Sequence, residues 1–448
     1  MTAIDAYFNK KTSIAPLVFF RICFGFMLLF GIIRFWSNGW INSLYIDPAY
    51  HFPYYGFEFI SSPGPYTYLL FVLCGVSALM LALGIFYRLA SIVLFMSFTY
   101  IELIDKSTYL NHYYFISLVC MLLIFLPANR SFSLDVIRNK GLQAGFIPKW
   151  HIDALKLMVG IVYFYAGLAK INSDWLLNAL PLKIWLPARN DMPIIGPLFN
   201  HESVAYIFSW FGCAYDLSIP FLLLNRVSRP YAYLAVIVFH ILTSVLFPIG
   251  MFPQIMIVAA LLFFPASFHQ KILDKIRFWA GIQTSGPANS TTLKGSAMVR
   301  WIFVVFFAIQ ILLPFRYIAY PGELFWTEEG YRFSWRVMLM EKAGYAQFTV
   351  KDHTGRQTVV NNSLFLTPLQ EKMMSTQPDM ILQFACILRD HYNKLGFQNA
   401  EVYVDSYVAL NGRMGKVLVY PNINLSQQTE SFKHKTWITP LHAEIKGF

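Results

Sequence analysis

Residues 14–33 read IAPLVFFRICFGFMLLFGII, an apolar run whose only charge is Arg21. A helix that crosses the hydrocarbon core of a bilayer needs about 20 mostly apolar residues. The run therefore predicts a membrane-spanning helix. The segment before it, Met1–Ser13, is polar, and the run has no small-residue cleavage site, so we do not expect a cleavable signal peptide.

The composition indicates that the same pattern extends over most of the chain. Hydrophobic residues make up 56% of the 448 residues and charged residues only 13%, whereas about 25% is usual for soluble domains. We predict a polytopic α-helical membrane protein with about nine transmembrane helices. They lie near residues 14–35, 64–86, 89–104, 111–127, 156–171, 204–224, 231–247, 250–266 and 301–319.

The distribution of lysine and arginine predicts the orientation in the membrane. Alternate loops carry these residues, whereas Trp36–Tyr66 and Pro248–Gly250 have none. The positive-inside rule then places the N-terminus in the cytoplasm and the C-terminal region outside. Basic loops also account for the net charge of +11, and no aromatic-basic motif supports a nucleic-acid partner.

From Pro321 onward, charge returns and strand alternation begins. We predict a hairpin of Ala346–Lys351 and Gln357–Asn361, a helix over Pro378–Leu395, and a second hairpin from Glu401 with Asn411-Gly412 as its turn. The expected organisation is a transmembrane bundle over residues 1–320 and a small extracytoplasmic α+β domain over residues 321–448. A flexible cytoplasmic loop is predicted for Ile282–Ser296, which is rich in Gly, Ser, Thr, Pro and Asn.

Ionisable residues in membrane segments are costly and are therefore candidates for a functional site. Lys170 ends a predicted helix; it either snorkels to the interface beside Trp175 or acts as a partly desolvated, neutral base. His112, which follows Asn111, is either a helix-end packing residue or part of a proton-transfer site. The predicted topology places Lys170 and His112 at the same, outer level of the membrane.

Other polar residues in the apolar segments have simpler interpretations. His240 is either a buried histidine hydrogen-bonded to a neighbouring helix or a residue near the site. For Arg21, Glu102, Asp105 and Asp216 we expect charge pairing within the bundle. The aromatic segment Tyr50–Phe59 indicates an interfacial belt or the entrance for a flat ligand such as a quinone. The five scattered cysteines predict neither a disulfide framework nor a metal site.

Several segments, in order along most of the chain, match the pattern of one family. They are Asp105–Thr108, Asn111–Tyr113, Ala128-Asn129, Val162–Phe164, Ala166-Gly167, Lys170, Asp174-Trp175, Phe239-His240, Ile249–Phe252, Tyr331–Met338, Trp437 and Pro440-Leu441. Together they resemble the vitamin K-dependent gamma-glutamyl carboxylases.

The resemblance implies a reaction and a set of participants. A neutral lysine, matched by Lys170, deprotonates vitamin K hydroquinone, which reacts with O2 to give a strong base and finally the epoxide. That base removes the γ-proton of a peptide glutamate, and the carbanion captures CO2. His112 matches the residue that assists glutamate deprotonation, while Asn111 and His240 match substrate-binding positions near it. The implied quinol is phylloquinol or menaquinol from the membrane pool, with no metal.

Departures from the animal enzymes limit what is implied. Ala169 stands where they have a second lysine, the chain ends at Phe448 without their long tail, and Cys386 has no candidate partner cysteine in Trp36–Tyr66. The short form and the absent disulfide favour a bacterial homologue in the cytoplasmic membrane. Two alternatives stay open: a quinol epoxidase without peptide carboxylation, and a non-enzymatic transporter or structural bundle. The absence of an inverted repeat disfavours the second.

Overall fold

The computed structural model describes residues 3–279, 281, 292–293, 295–443 and 445–448. Of the predicted loop Ile282–Ser296, eleven of the fifteen residues lie outside this described part. The helices are α1 Ala3–Asn9, α2 Ala15–Ser37, α3 Thr67–Leu83, α4 Tyr87–Ile104, α5 Asn111–Phe125, α6 Leu134–Arg138, α7 Trp150–Leu168, α8 Ser173–Asn178, α9 Leu182–Trp185, α10 Glu202–Leu224, α11 Arg229–Leu246, α12 Phe252–Ala260, α13 Ala266–Trp279, α14 Ala297–Leu312, α15 Leu324–Thr327, α16 Pro368–Met374 and α17 Pro378–Lys394.

All nine predicted transmembrane segments contain a helix, which confirms a polytopic helical membrane protein. Within the described residues, seven helices are long and apolar enough to cross a bilayer. The remaining two segments differ from the prediction. α5 has only 15 residues, and α12 with its continuation to Phe263 meets α13 at an angle of 112°. α12 is therefore a short helix, and the chain bends sharply between it and α13 instead of forming one straight span.

The centre of the bundle is α7, the most deeply buried of the seven long apolar helices. Its buried face packs with α2, α5, α10 and α12 in one continuous apolar core. Arg21 lies in this core, and its guanidinium donates to the carbonyl oxygens of Ala128 (2.9 Å) and Phe132 (2.6 Å). The predicted charge pairing is therefore wrong for Arg21, since two loop carbonyl oxygens, instead of a carboxylate, accept from its terminal nitrogens.

The C-terminal part contains a four-stranded antiparallel sheet. The strands are β1 Lys11–Ser13 and β2 Phe146–Pro148, which pair with each other beside the bundle, and then β3 Lys342–Lys351, β4 Gln357–Val359, β5 Glu401–Leu410 and β6 Lys416–Val417, in the order β4-β3-β5-β6. α17 packs on β3 and β5. This confirms a small C-terminal domain with a β-sheet.

The first predicted hairpin is confirmed, with Gly355 at a φ of +87° in its turn. In the second hairpin the ladder ends at Val408 and Lys416, so the turn is longer than the predicted Asn411-Gly412 pair. The Asn411 amide explains the difference: it donates to Asp174 of α8 at 2.7 Å and accepts from the Glu341 backbone at 2.8 Å. The loop is opened by its contact with the bundle.

The C-terminal domain is held against one end of the bundle by polar contacts. Gln370 of α16 donates to Asp105 and to the backbone oxygen of Tyr50, both at 2.8 Å. The Tyr54 and Phe333 rings are 5.6 Å apart. The aromatic segment Tyr50–Phe59 thus serves as packing surface for this domain, and Asp105 is hydrogen-bonded by an amide instead of being paired with a cation.

Candidate functional site

Lys170 lies just beyond the end of α7, where the chain turns into α8. Its side chain points into the bundle and is only 6% exposed. The Nζ atom lies 2.8 Å from Asp216 Oδ2 of α10 and 3.2 Å from the carbonyl oxygen of Ala166. The interfacial snorkelling interpretation is therefore wrong, whereas the expected charge pairing of Asp216 is confirmed.

A small apolar cavity of about 90 Å³ adjoins this ion pair. Aromatic residues dominate its lining, among them Trp175, Phe208 and Phe239, and the Lys170 amine is 5.2 Å from the Trp175 ring centroid. An amine with a single carboxylate partner in such surroundings is poorly hydrated. The amine and the carboxylate are close enough for a proton to pass directly between them.

His240 of α11 lines the same cavity. Its Nε2 atom is 2.8 Å from the Tyr163 hydroxyl of α7, and its Nδ1 atom is buried with no hydrogen-bond partner in the described part of the chain. The two interpretations of His240 are both supported, because the histidine is hydrogen-bonded to a neighbouring helix and also faces the Lys170 cavity.

The contact between Tyr163 and His240 leads to a testable expectation. Tyr163→Phe should lower the free energy of unfolding by about 1–3 kcal/mol, because it leaves the buried His240 Nε2 without a partner. Denaturant titration in detergent measures the loss. Tyr233→Phe, on the same helix as His240, is the matched control, since the Tyr233 ring packs against Phe264 at 5.1 Å. Equal losses in both variants would contradict a specific role for this hydrogen bond.

His112, at the start of α5, lies in a second and larger cavity of about 660 Å³. Its Nε2 atom is buried and unpartnered within the described residues. Gly250 makes room for it: a Cβ built at that position would lie 3.4 Å from Nε2. The Asn111 amide lines the same cavity and donates to the backbone oxygen of Arg336 at 3.2 Å.

The two cavities are adjacent. They share a wall formed by Trp185, Phe247, Ile249, Phe252, Val337 and Met338. The Phe252 ring lies between the two histidines, 6.0 Å from His112 and 5.8 Å from His240. The structure therefore brings Lys170 together with His240, and His112 with Asn111. It places the two pairs on opposite sides of one apolar wall rather than in a single cavity.

The larger cavity is electropositive. Four cationic side chains line it, against a single acidic one, Glu328, in its described lining; the cations are Lys106, Arg189, Arg332 and Arg336. Asp379, at the start of α17, pairs with Lys106 at 2.7 Å and with Arg332 at 2.6 Å. Burial alone would raise the pKa of the Asp379 carboxyl, but these two cations hold its pKa well below the ordinary value.

For Lys106, burial lowers the pKa of the amine, although the neighbouring Asp379 carboxylate favours the charged form. The cluster joins the bundle to the C-terminal domain, because Lys106 follows α4 whereas Arg332 and Asp379 belong to the C-terminal part. Arg336 donates to the backbone oxygen of Phe448 at 3.2 Å. One carboxylate thus balances two cations beside a cavity large enough for a peptide side chain.

This cationic cluster is not apparent from the amino-acid sequence. Lys106, Arg332 and Arg336 stand within segments that match the family pattern, but nothing singles them out as charged partners. Asp379 is an ordinary acidic residue in the first turn of a predicted helix. The available indications are weak: Lys106 follows a long apolar helix closely, and Arg332 and Arg336 come after residues 317–331, which contain neither lysine nor arginine. Neither indicates that these residues meet.

The comparison with known protein families adds two matches. Residues 9–268 match the HTTM domain. Residues 295–444 match the lumenal domain of vitamin K-dependent gamma-carboxylase. The first match covers the bundle that carries Lys170, His112 and His240, and the second covers the part that supplies Arg332 and Asp379. No solved structure matches the chain.

Proposed function

The chain belongs to the vitamin K-dependent gamma-carboxylase family, and on that premise we propose that it couples oxygenation of vitamin K hydroquinone to carboxylation of peptide glutamate. The observation that carries the proposal is the pairing of two adjacent cavities. One is small and apolar and contains a buried lysine; the other is larger and electropositive and contains His112. A quinol and a carboxylate-bearing side chain need different surroundings. The two cavities provide them, and only one layer of shared lining residues separates the two.

Lys170 is the proposed base. Its Nζ atom accepts a quinol proton only when the amine is neutral, and Asp216 Oδ2 at 2.8 Å can take the proton that the ammonium must first release. In a site that excludes water, the neutral amine and carboxylic acid together avoid two buried charges. Asp216 then acts as a positioning residue and as a store for one proton.

The apolar and aromatic lining of the Lys170 cavity suits a flat aromatic ring, but the volume of the cavity is too small to hold one. Ligand cavities commonly measure roughly 300–1,000 Å³, whereas this one has about 90 Å³. The shared wall, and Phe252 in particular, must therefore move for a quinol ring to enter. When bound, reduced vitamin K supplies on oxygenation the strong base that the γ-carbon of glutamate requires.

The larger cavity is the proposed glutamate site. Its cations can hold a substrate carboxylate, since arginine forms strong charge-assisted hydrogen bonds with carboxylates. His112, with a free Nε2 atom facing this cavity, is placed to hold or donate a proton during the deprotonation of the γ-carbon. Asn111 fixes the start of α5 by bonding to the Arg336 backbone. The peptide would come from outside the cell and the quinol from the bilayer.

The direct test follows two products in one assay. Purified protein in lipid nanodiscs is given reduced vitamin K, O2, labelled CO2 and a glutamate-containing peptide, and both the incorporated label and the epoxide are measured. Incorporation that depends on reduced vitamin K supports the coupled reaction. If epoxide forms but no peptide of a test panel incorporates label, the protein is a quinol epoxidase without peptide carboxylation. If neither product forms with phylloquinol or with menaquinol, the non-enzymatic alternative is the one that remains.

His112→Ala should separate the two half-reactions. We expect label incorporation to fall by about 10²-fold, the lower end of the range for a residue that assists proton transfer. Epoxide should fall far less, because His112 lies across the wall from Lys170. His151→Ala is the matched control, since His151 is also a buried histidine but begins α7 at the other end of the bundle. Equal loss of both products in His112→Ala would contradict this division of roles.

A further inference from the structure

A third cavity, of about 960 Å³, lies on another face of α7. α7, α10 and α14 form its walls, and Tyr7 and Phe8 of α1 border one end. We call it the α7 cleft. The α7 residues that line it include Asp153, Leu157 and Phe164, whereas the Lys170 cavity uses Val162, Tyr163 and Ala166. The α7 cleft is therefore separate from the proposed catalytic cavities.

The α7 cleft opens sideways toward the region that the lipid chains would occupy. The exposed apolar side chains in its described lining include Leu157, Phe164, Phe221, Leu224, Val304 and Ile311. It follows α7 from Lys149 to Tyr165, a length of about 24 Å at the helical rise per residue. That is most of the roughly 30 Å thickness of a hydrocarbon core, so a long hydrocarbon chain could lie along it.

One end of the α7 cleft is cationic. Lys149, Lys156 and Arg300 line this end, which is the end away from the C-terminal domain. Asp153 is the one carboxylate in the described lining of the cleft, and it pairs with Lys149 at 2.6 Å and lies 4.0 Å from Lys156. In the described lining the three cations exceed the single carboxylate by two charges, and they adjoin a long apolar channel, which suits a ligand with an anionic head.

We propose that the α7 cleft binds an anionic phospholipid, with its phosphate among Lys149, Lys156 and Arg300 and an acyl chain along α7. Basic pockets between transmembrane helices attract anionic head groups. With the N-terminus in the cytoplasm, as the loop charges predict, the cationic end lies in the leaflet where anionic lipids concentrate. A quinone tail would suit the apolar walls but would leave the cations without an anion.

Native mass spectrometry of the delipidated full-length protein, titrated with phosphatidylglycerol or phosphatidylcholine, tests the proposal. We expect phosphatidylglycerol to bind at least tenfold more tightly. Arg300→Gln and Lys156→Gln should each weaken its binding about fivefold. Lys275→Gln, on the exposed side of α13, should leave binding unchanged. Ala308→Phe should block binding of both lipids, because Ala308 lines the middle of the cleft.

Three results would overturn the proposal. They are equal binding of the two lipids, unchanged phosphatidylglycerol binding in the Arg300→Gln/Lys156→Gln double variant, and displacement of phosphatidylglycerol by glycerol phosphate at equal concentration. Menaquinone that competes with phosphatidylglycerol in wild type but not in Ala308→Phe would assign the cleft to quinones instead. If Ala308→Phe does not fold, Gly160→Leu fills the same space, since a Cβ at Gly160 meets only Pro220, at 3.9 Å.

Discussion

Lys170→Arg should abolish both epoxide formation and labelled CO2 incorporation, with a loss of about 10²–10⁴-fold. Arginine retains the positive charge and can pair with Asp216 as lysine does, but it stays protonated in proteins and cannot serve as the base. The substitution therefore removes the proposed chemistry while preserving the ion pair. The assay is the two-product measurement in nanodiscs.

Arginine is a sharper replacement than alanine at this position. Lys170→Ala would leave Asp216 buried without its partner, and breaking a buried ion pair costs roughly 3–5 kcal/mol, so lost activity could reflect lost structure. Lys183→Arg is the control for the substitution itself, because Lys183 forms an ion pair of similar length, 2.9 Å from Glu202, but on the exposed surface. Lys170→Arg with more than a tenth of wild-type epoxide formation would exclude Lys170 as the base.

The sequence predicts the elements of this fold better than their junctions. Each spanning segment is an apolar run long enough to be recognised by itself, and the hairpin at Gly355 has its own turn chemistry. The failures occur where a distant partner decides the conformation. Asn411-Gly412 would close a tight hairpin, but Asp174 of α8 binds the Asn411 amide and opens the loop. Nothing within the hairpin sequence indicates that contact.

The same reasoning applies to the site. A lysine at the end of an apolar helix can be recognised as unusual, and so can a histidine at the start of one, because either is costly in a membrane. Whether Lys170 snorkels or turns inward depends on Asp216, which lies on another helix. The predicted topology places Lys170 and His112 at one level of the membrane, and the family resemblance implies their roles. Only the three-dimensional structure shows the Phe252 ring next to both His112 and His240.

Asp379→Asn should lower the free energy of unfolding by about 3 kcal/mol near neutral pH. The asparagine would leave Lys106 and Arg332 as two adjacent, mostly buried cations without a carboxylate, and removing one member of a buried ion pair typically costs 3–5 kcal/mol. Because Lys106 belongs to the bundle and Asp379 to the C-terminal domain, the loss should appear as loosened docking, which limited proteolysis of the segment after Ala319 can detect.

The pH dependence distinguishes this loss from a packing defect. The pKa of Asp379 is held below its ordinary value in the folded protein, so its stabilising contribution is present above the pKa of an unfolded aspartate and disappears as the pH falls toward the folded value. The difference between wild type and Asp379→Asn should therefore be constant near neutrality and shrink below about pH 4. Asp390→Asn, exposed on the same helix, should cost less than about 0.5 kcal/mol at any pH. A difference between wild type and Asp379→Asn that persists undiminished in acid would show that the carboxylate charge is not what holds the two parts together.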